Sequence, residues 1–179
     1  MAESFVNSVT RAVGVVTSSS AGSVGVQTNL ITGITTTNLT VGDIVDNSNF
    51  IAGTKVSSIG VNSTTVDRDS TNTTAASSQS VKYLGLTTAY TSASGTKSII
   101  IGGTFANNTS NEVELTVHLY DNSATLYPAI ISRVPVPNGS SFVLSDTGKT
   151  VLEGLDAIRV YCDTANGVDV QLGILKGVS

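Results

Sequence analysis

Three segments in the second half of the chain repeat one pattern. In VELTVHLYD, Val113, Leu115, Val117 and Leu119 alternate with Glu114, Thr116, His118 and Tyr120. IRVYCD sets Ile158, Val160 and Cys162 against Arg159, Tyr161 and Asp163, and VDVQLGIL does the same with Val168, Val170, Leu172 and Ile174. A period of two marks a strand with one buried face, because successive side chains leave a pleated backbone on opposite sides. Turn-forming clusters separate these runs: NNTSN at 107–111, DNSA at 121–124, PNGSS at 137–141, SDTGK at 145–149 and DTANG at 163–167. Several strands at this spacing predict an antiparallel β-sandwich over 85–179.

Within that half, RVPVPNGSSFVL holds two of the three prolines of the chain, Pro135 and Pro137. Proline has no N–H to donate, so both belong on an edge or at the end of a strand. Asn138-Gly139 then reverses the chain and SFVLS resumes as a strand. The segment is a corner that needs no chemistry. The first half is looser. VGVVTSSS, SVGVQTNLITGITTTNLTVGDIVDNS and FIAGTKVSSIGVNSTTVDRDS contain short β runs broken by Gly and Asn, with a hairpin over Lys55–Val66 turning at Val61-Asn62-Ser63. TNTTAASSQS at 71–80 reads as a loop or linker. Residues 14–84 are expected to form a smaller β domain. The opening segment spaces Phe5, Val9, Ala12 and Val13 in a way compatible with a short amphipathic helix or with an extended arm, over 1–13, that docks on a neighbour. On this reading, removing 1–13 leaves the sandwich folded.

Composition agrees with an all-β chain. Charged residues make up 12%, about half the usual share of roughly 25%, and Ser, Thr and Asn fill the gap. Thr and Val suit pleated surfaces, whereas Ser, Asn and Gly suit turns. A net charge of −4 and a pI near 4.7 argue against nucleic acid as a partner, since phosphate binding needs clustered cations. Lys55, Lys82, Lys97, Lys149 and Lys176 are scattered. No run of about 20 apolar residues would cross a membrane. The start, MAESFVNSV, has an acid and no apolar core of a signal peptide, and one cysteine excludes an internal disulfide framework; synthesis in a cytosol is expected. A sparsely charged β surface further implies that much of it is covered in the working state.

Reactive groups are few. His118 is the only histidine, lies on an outward strand position, and has no G-x-S-x-G elbow to serve. Cys162 shares the inward side with Ile158 and Val160 and reads as a small core residue. Asp163, Asn166, Gly167 and Asp169 resemble half of a calcium loop, but the full spacing is missing and a tight turn explains them; DRDSTN at 67–72 is read the same way. Gly102-Gly103 follows a strand without Walker or Rossmann spacing. The N-x-[ST] matches at Asn38, Asn62, Asn72, Asn107, Asn108 and Asn138 are what chance yields in such a chain. The expectation is a protein that is not an enzyme, with no catalytic residue, cofactor or metal.

The segments MAESFVNSV, YTSASGTKSIIIGGTFAN at 90–107, VPVPNGSSFVLS, KTVLEGLDAIRV at 149–160 and VDVQLGIL resemble a family of small virion structural proteins of tailed bacteriophages, particularly marine and cyanobacterial ones. Such proteins begin with a short MA-x-S-x-x-N arm, carry a proline-plus-glycine corner and end on a K-x-VLE-x-x-D-x-I strand pair. Here AVGVVTS (12–18) and LTTAYTS (86–92) look like two ends of one connection, so 14–84 reads as an insertion into the sandwich. Its VGDIV…FIAGTKVSSIGVNSTTV is similar to a small β motif of phage structural and fibre proteins. The resemblance implies a virion structural protein, self-associating as a homo-oligomer and docked on major capsid or other virion proteins, assembled in the host cytoplasm. An outer capsid decoration or cement role is the first expectation, with a neck, tail or fibre-adaptor role, or a host-surface carbohydrate or receptor module, as alternatives. Interface residues are expected in the arm (Phe5, Val6, Val9) and at the corner (Pro135, Pro137, Gly139).

Overall fold

The computed structural model describes residues 3–51, 53–145 and 149–178. The described residues form fifteen strands and no helix. They fall into two compact units, one of Met1–Val13, Thr87–Cys162 and Asn166–Ser179, the other of Gly14–Leu86 with Asp163–Ala165.

The first unit is an antiparallel sandwich, the fold class that the alternation predicts. One sheet orders β1 (Ser4–Val13), β15 (Val168–Val178), β9 (Lys97–Asn107) and β12 (Ser141–Leu144), with β13 (Thr150–Leu152) also paired to β9. The other orders β11 (Ala129–Val136), β10 (Val113–Tyr120), β14 (Ala157–Cys162) and β8 (Thr87–Thr91). The inward residues of the three alternating segments meet in one core with Phe105 of β9: Leu115, Val117, Ile158, Val160 and Cys162 from one sheet, Val168, Val170, Leu172 and Ile174 from the other. Burying these side chains stabilises the fold by about 1.5–3 kcal/mol for each large apolar one.

Pro135 and Pro137 sit where their missing N–H groups do least harm. Pro135 pairs with Glu114 on β11, an edge strand, and Pro137 begins the turn after it. Gly139 takes φ +65°, a left-handed conformation that glycine adopts without steric cost. The chain thereby leaves one sheet at β11 and enters the other at β12. Asn107, nearly buried, holds this corner: its Nδ2 donates to the carbonyls of Val136 at 2.8 Å and Asn111 at 2.7 Å.

Residues 4–13 form neither a helix nor a detached arm. They are β1, paired to β15 from Ser4↔Lys176 to Val13↔Val168. A short isolated helix is costly to nucleate, whereas this segment finds a complete main-chain partner. The hydroxyls of Ser8 and Thr10 donate to the Ala89 carbonyl of β8 at 2.8 and 3.3 Å. Val13 is fully buried in the core. Removal of 1–13 therefore takes a strand out of the sandwich, where the sequence reading expected the loss of a separate arm.

The second unit is a six-stranded sheet ordered β4 (Ile44–Asp46), β7 (Ala76–Leu84), β2 (Val16–Val24), β3 (Leu30–Thr32), β6 (Ser63–Val66) and β5 (Val56–Gly60). Its two ends meet. Ile44 bridges Lys55, and Gly42 N–H donates to Val56 O at 2.8 Å, Val56 N–H to Asp43 O at 2.9 Å and Val45 N–H to Thr54 O at 2.8 Å. These bonds join the two ends of the sheet and close it into a small barrel along that stretch. The barrel is filled by residues such as Ile31, Val66, Val81 and Tyr83, the last hydrogen-bonded to Thr64 at 2.8 Å. Buried Asp43 accepts from Thr17 Oγ1, Thr40 N and Thr40 Oγ1 and pins the β4 end. The β5–β6 hairpin turns at Val61-Asn62 as read, with Asn62 at φ +51°. The segment read as a loop at 71–80 is different: from Ala76 onward it is strand, pairing Ser80 with Ala21 and Gln79 with Gly22. Serine and alanine are weak strand formers, and here the pairing with β2 overrides propensity. The turn expected at 145–149 falls on 146–148, outside the described residues.

Candidate docking surface

The outward face of the five-stranded sheet collects apolar side chains from every strand. On β1 the odd positions from Phe5 to Arg11 point away from the core, leaving Phe5 77% and Val9 67% exposed. Opposite them, β15 presents Leu175 beside Phe5 and Gln171 beside Val9, with Gly173 between. On β9, Ile99 and Ile101 face outward about the buried Ile100 by ordinary alternation, and a register shift opposite Gly173/Ile174 leaves Ile101 as an extra residue, so that the alternation resumes one residue later with Phe105 inward. Bulges re-aim side chains in this way. Val143 of β12 and Val151 of β13, each about half exposed, complete the face.

The face is not flat. A hollow of about 420 Å³ lies between Phe5 and Ile101, with Gly102, Gly103 and Gly173 at its floor. A smaller one of about 170 Å³ lies beside Val9, over Thr104 and Ala106. Among the described strand positions of the face, charge sits at the two ends, and Lys149, exposed just before β13, lies at its rim. Arg11 and Asp169 pair at 3.4 Å at one end, and Lys97 and Glu153 pair at 3.5 Å at the other. No outward strand position between these pairs is charged. The Asp169 carboxyl is held below its ordinary range, first by the backbone N–H of Ala12, 2.9 Å from Oδ1, and further by Arg11.

Of the six residues expected at an interface, Phe5 and Val9 lie on this face, whereas Val6 packs against the sandwich core. Pro135, Pro137 and Gly139 are exposed at the corner leading into β12, at the opposite edge of the sheet from β1. The structure does not bring arm and corner together. Ile99, Ile101, Val143, Val151 and Gly173 escaped the sequence reading. The run IIIGG was a visible signal, but a run of three isoleucines does not say which of them faces out when a bulge interrupts the period.

The other candidates have structural employment. His118 Nδ1 lies 2.7 Å from the Tyr127 carbonyl and its ring meets Tyr161 edge-on at 5.3 Å, while Nε2 is buried without a hydrogen-bond partner. Cys162 is buried in the core. Asp169 is committed to Ala12 and Arg11, and Asp67 accepts the N–H of Lys55 at 2.8 Å. The described residues contain no group of three or more His, Cys, Asp or Glu placed to hold a metal ion. Tyr83 is entirely buried and Tyr90 half-buried against Ser98, so neither offers a sugar-stacking ring. Tyr120 and Tyr127 do pair on the outside, 4.9 Å between ring centres, but the Arg159 guanidinium lies 4.0 Å over the Tyr120 ring. Compared with family models, curated proteins and solved structures, the chain matches none.

Proposed function

We propose that this chain is a non-enzymatic structural protein of a tailed-phage virion, an outer capsid decoration or cement protein assembled in the host cytoplasm and held by burial of β surface. The observation that carries the reading is the apolar outward face of the five-stranded sheet. Exposed apolar patches beyond a few hundred Å² mark sites of association on soluble proteins, and a chain with 12% charged residues has little else to keep such a face from contact. The sequence resemblance to small virion proteins supports the phage setting.

The test is mass spectrometry and gold immunolabelling of purified particles of the phage that encodes the chain. Label over the head supports decoration. Label at the neck or tail moves the chain to an adaptor role, and particles lacking the chain sink the reading. A host-surface binding module is the second reading, favoured only by the external Tyr120–Tyr127 pair. Glycan-array binding lost in Tyr127→Ala would bring it forward.

A further inference from the structure

We propose that the outward face of the five-stranded sheet joins two copies of this chain, sheet against sheet about a two-fold axis, with Phe5 of each copy seated in the glycine-floored hollow of the other. This deepens the reading above and rests on its premise that the face is a docking surface. A two-fold contact presents the same patch from both sides, so the patch must complement itself. This one carries both halves of the fit. Phe5 is a free aromatic knob, and the hollow beside Ile101 is roomy enough for a ring at about 420 Å³.

The glycines separate what the fold needs from what the hollow needs. A Cβ on Gly103 would come within 2.7 Å of Leu172 Cδ2, so packing inside the sandwich requires glycine there. A Cβ on Gly173 would meet only the Gly102 carbonyl oxygen, at 3.9 Å, and its φ lies outside the left-handed region. Nothing within the chain demands glycine at 173. What its absent side chain does is keep the floor of the hollow open.

Charge and size agree with a second copy as the occupant. Among the described strand positions the central face is uncharged and each end carries an internally neutral ion pair, so stacking the strands of the face on themselves brings no isolated like charges together, Lys149 lying at the rim before β13. Four strands about 4.8 Å apart and roughly eight residues of about 3.3 Å each give on the order of 500 Å² in projection. Protruding side chains raise the accessible area toward the roughly 800 Å² per partner of a stable pair. Two sheets stacked about 10 Å apart bury such residues as a sandwich core does.

The test uses the full chain in analytical ultracentrifugation across micromolar concentrations. The expected result is a species of twice 18.3 kDa, and weakening by roughly 30-fold or more in Gly173→Leu and in Phe5→Asp, the size of effect that a central contact gives. Circular dichroism melts of both variants should match wild type diluted to where it is a monomer, since pairing itself raises the melting temperature at higher concentration. Should Gly173→Leu fail to fold, Phe5→Asp decides, since its side chain stands in solvent in the single chain. A wild-type monomer at 100-fold above these concentrations overturns the proposal, as does a trimer or a folded variant that still pairs fully. Particle labelling separates the two readings. A monomer found on virions removes the pairing alone, and a pair never found on virions removes the virion role alone.

Discussion

Single residues fix the geometry on which the docking face depends. Asn107 is the clearest case, because one buried amide holds the corner where the chain changes sheets. Asn107→Ala leaves the Val136 and Asn111 carbonyls without that donor, and Thr109 without the acceptor of its N–H and hydroxyl. A buried group stripped of its partner costs about 1–3 kcal/mol, so a loss of roughly 2–3 kcal/mol is expected, read from urea denaturation. Asp169 acts through charge. Its folded pKa is lowered, so its contribution to stability is fully present above the unfolded value of about 3.9 and is lost as pH falls through the lower folded value. Asp169→Asn should melt earlier than wild type at neutral pH, and the gap should narrow below about pH 4. A gap that is constant with pH would mean that the carboxylate charge is not what stabilises this end of β1.

At the scale of elements, β1 carries two duties on its two sides. Inward, Val6, Ser8 and Val13 close the sandwich against β8 and the core; outward, Phe5 and Val9 build the face. Deleting 1–13 is therefore expected to lower the melting temperature and expose the long edge of β15, a ready template for pairing with other chains. Light scattering on heating should show aggregation that wild type lacks. Phe5→Asp, by contrast, should match the melt of wild type diluted to a monomer, which separates the inward duty from the outward one. The alternation of β10, β14 and β15 was legible because each strand buries one face continuously. β1 was not, since Ser8 and Thr10 are inward yet polar, and their burial makes sense only once the Ala89 carbonyl is placed opposite them. The serine-rich start of β7 was hidden for a related reason: its place comes from main-chain pairing with β2 and not from its side chains.

Over the whole molecule, the second unit begins and ends at one place. Val16 pairs with Leu84, and Gly85 N–H donates to Val15 O at 3.0 Å. A compact body with adjacent ends and its own core is the form in which one domain is tolerated within another. Residues 14–86 expressed alone should fold as a cooperative barrel, seen as a sigmoidal denaturation curve. Residue 13 joined to 87 by a short glycine linker should likewise leave a folded sandwich. A non-cooperative transition in either piece would show that the cores are not self-sufficient.

What the amino-acid order settled by itself was local and periodic: strands where apolar residues alternate, turns where Asn and Gly cluster, a corner where one proline requires an edge strand and the next ends it. Those outcomes follow from short-range sterics and from which side of a pleat must leave water. The tertiary structure alone decided the rest. Closure of the barrel, the employment of residues 4–13 as a strand and the gathering of Phe5, Ile101 and Val151 on one face all join residues far apart in the chain. Their cause is hydrogen-bond register between strands, and a one-residue bulge on β9 is enough to reset the alternation so that Phe105 as well as Ile100 faces the core.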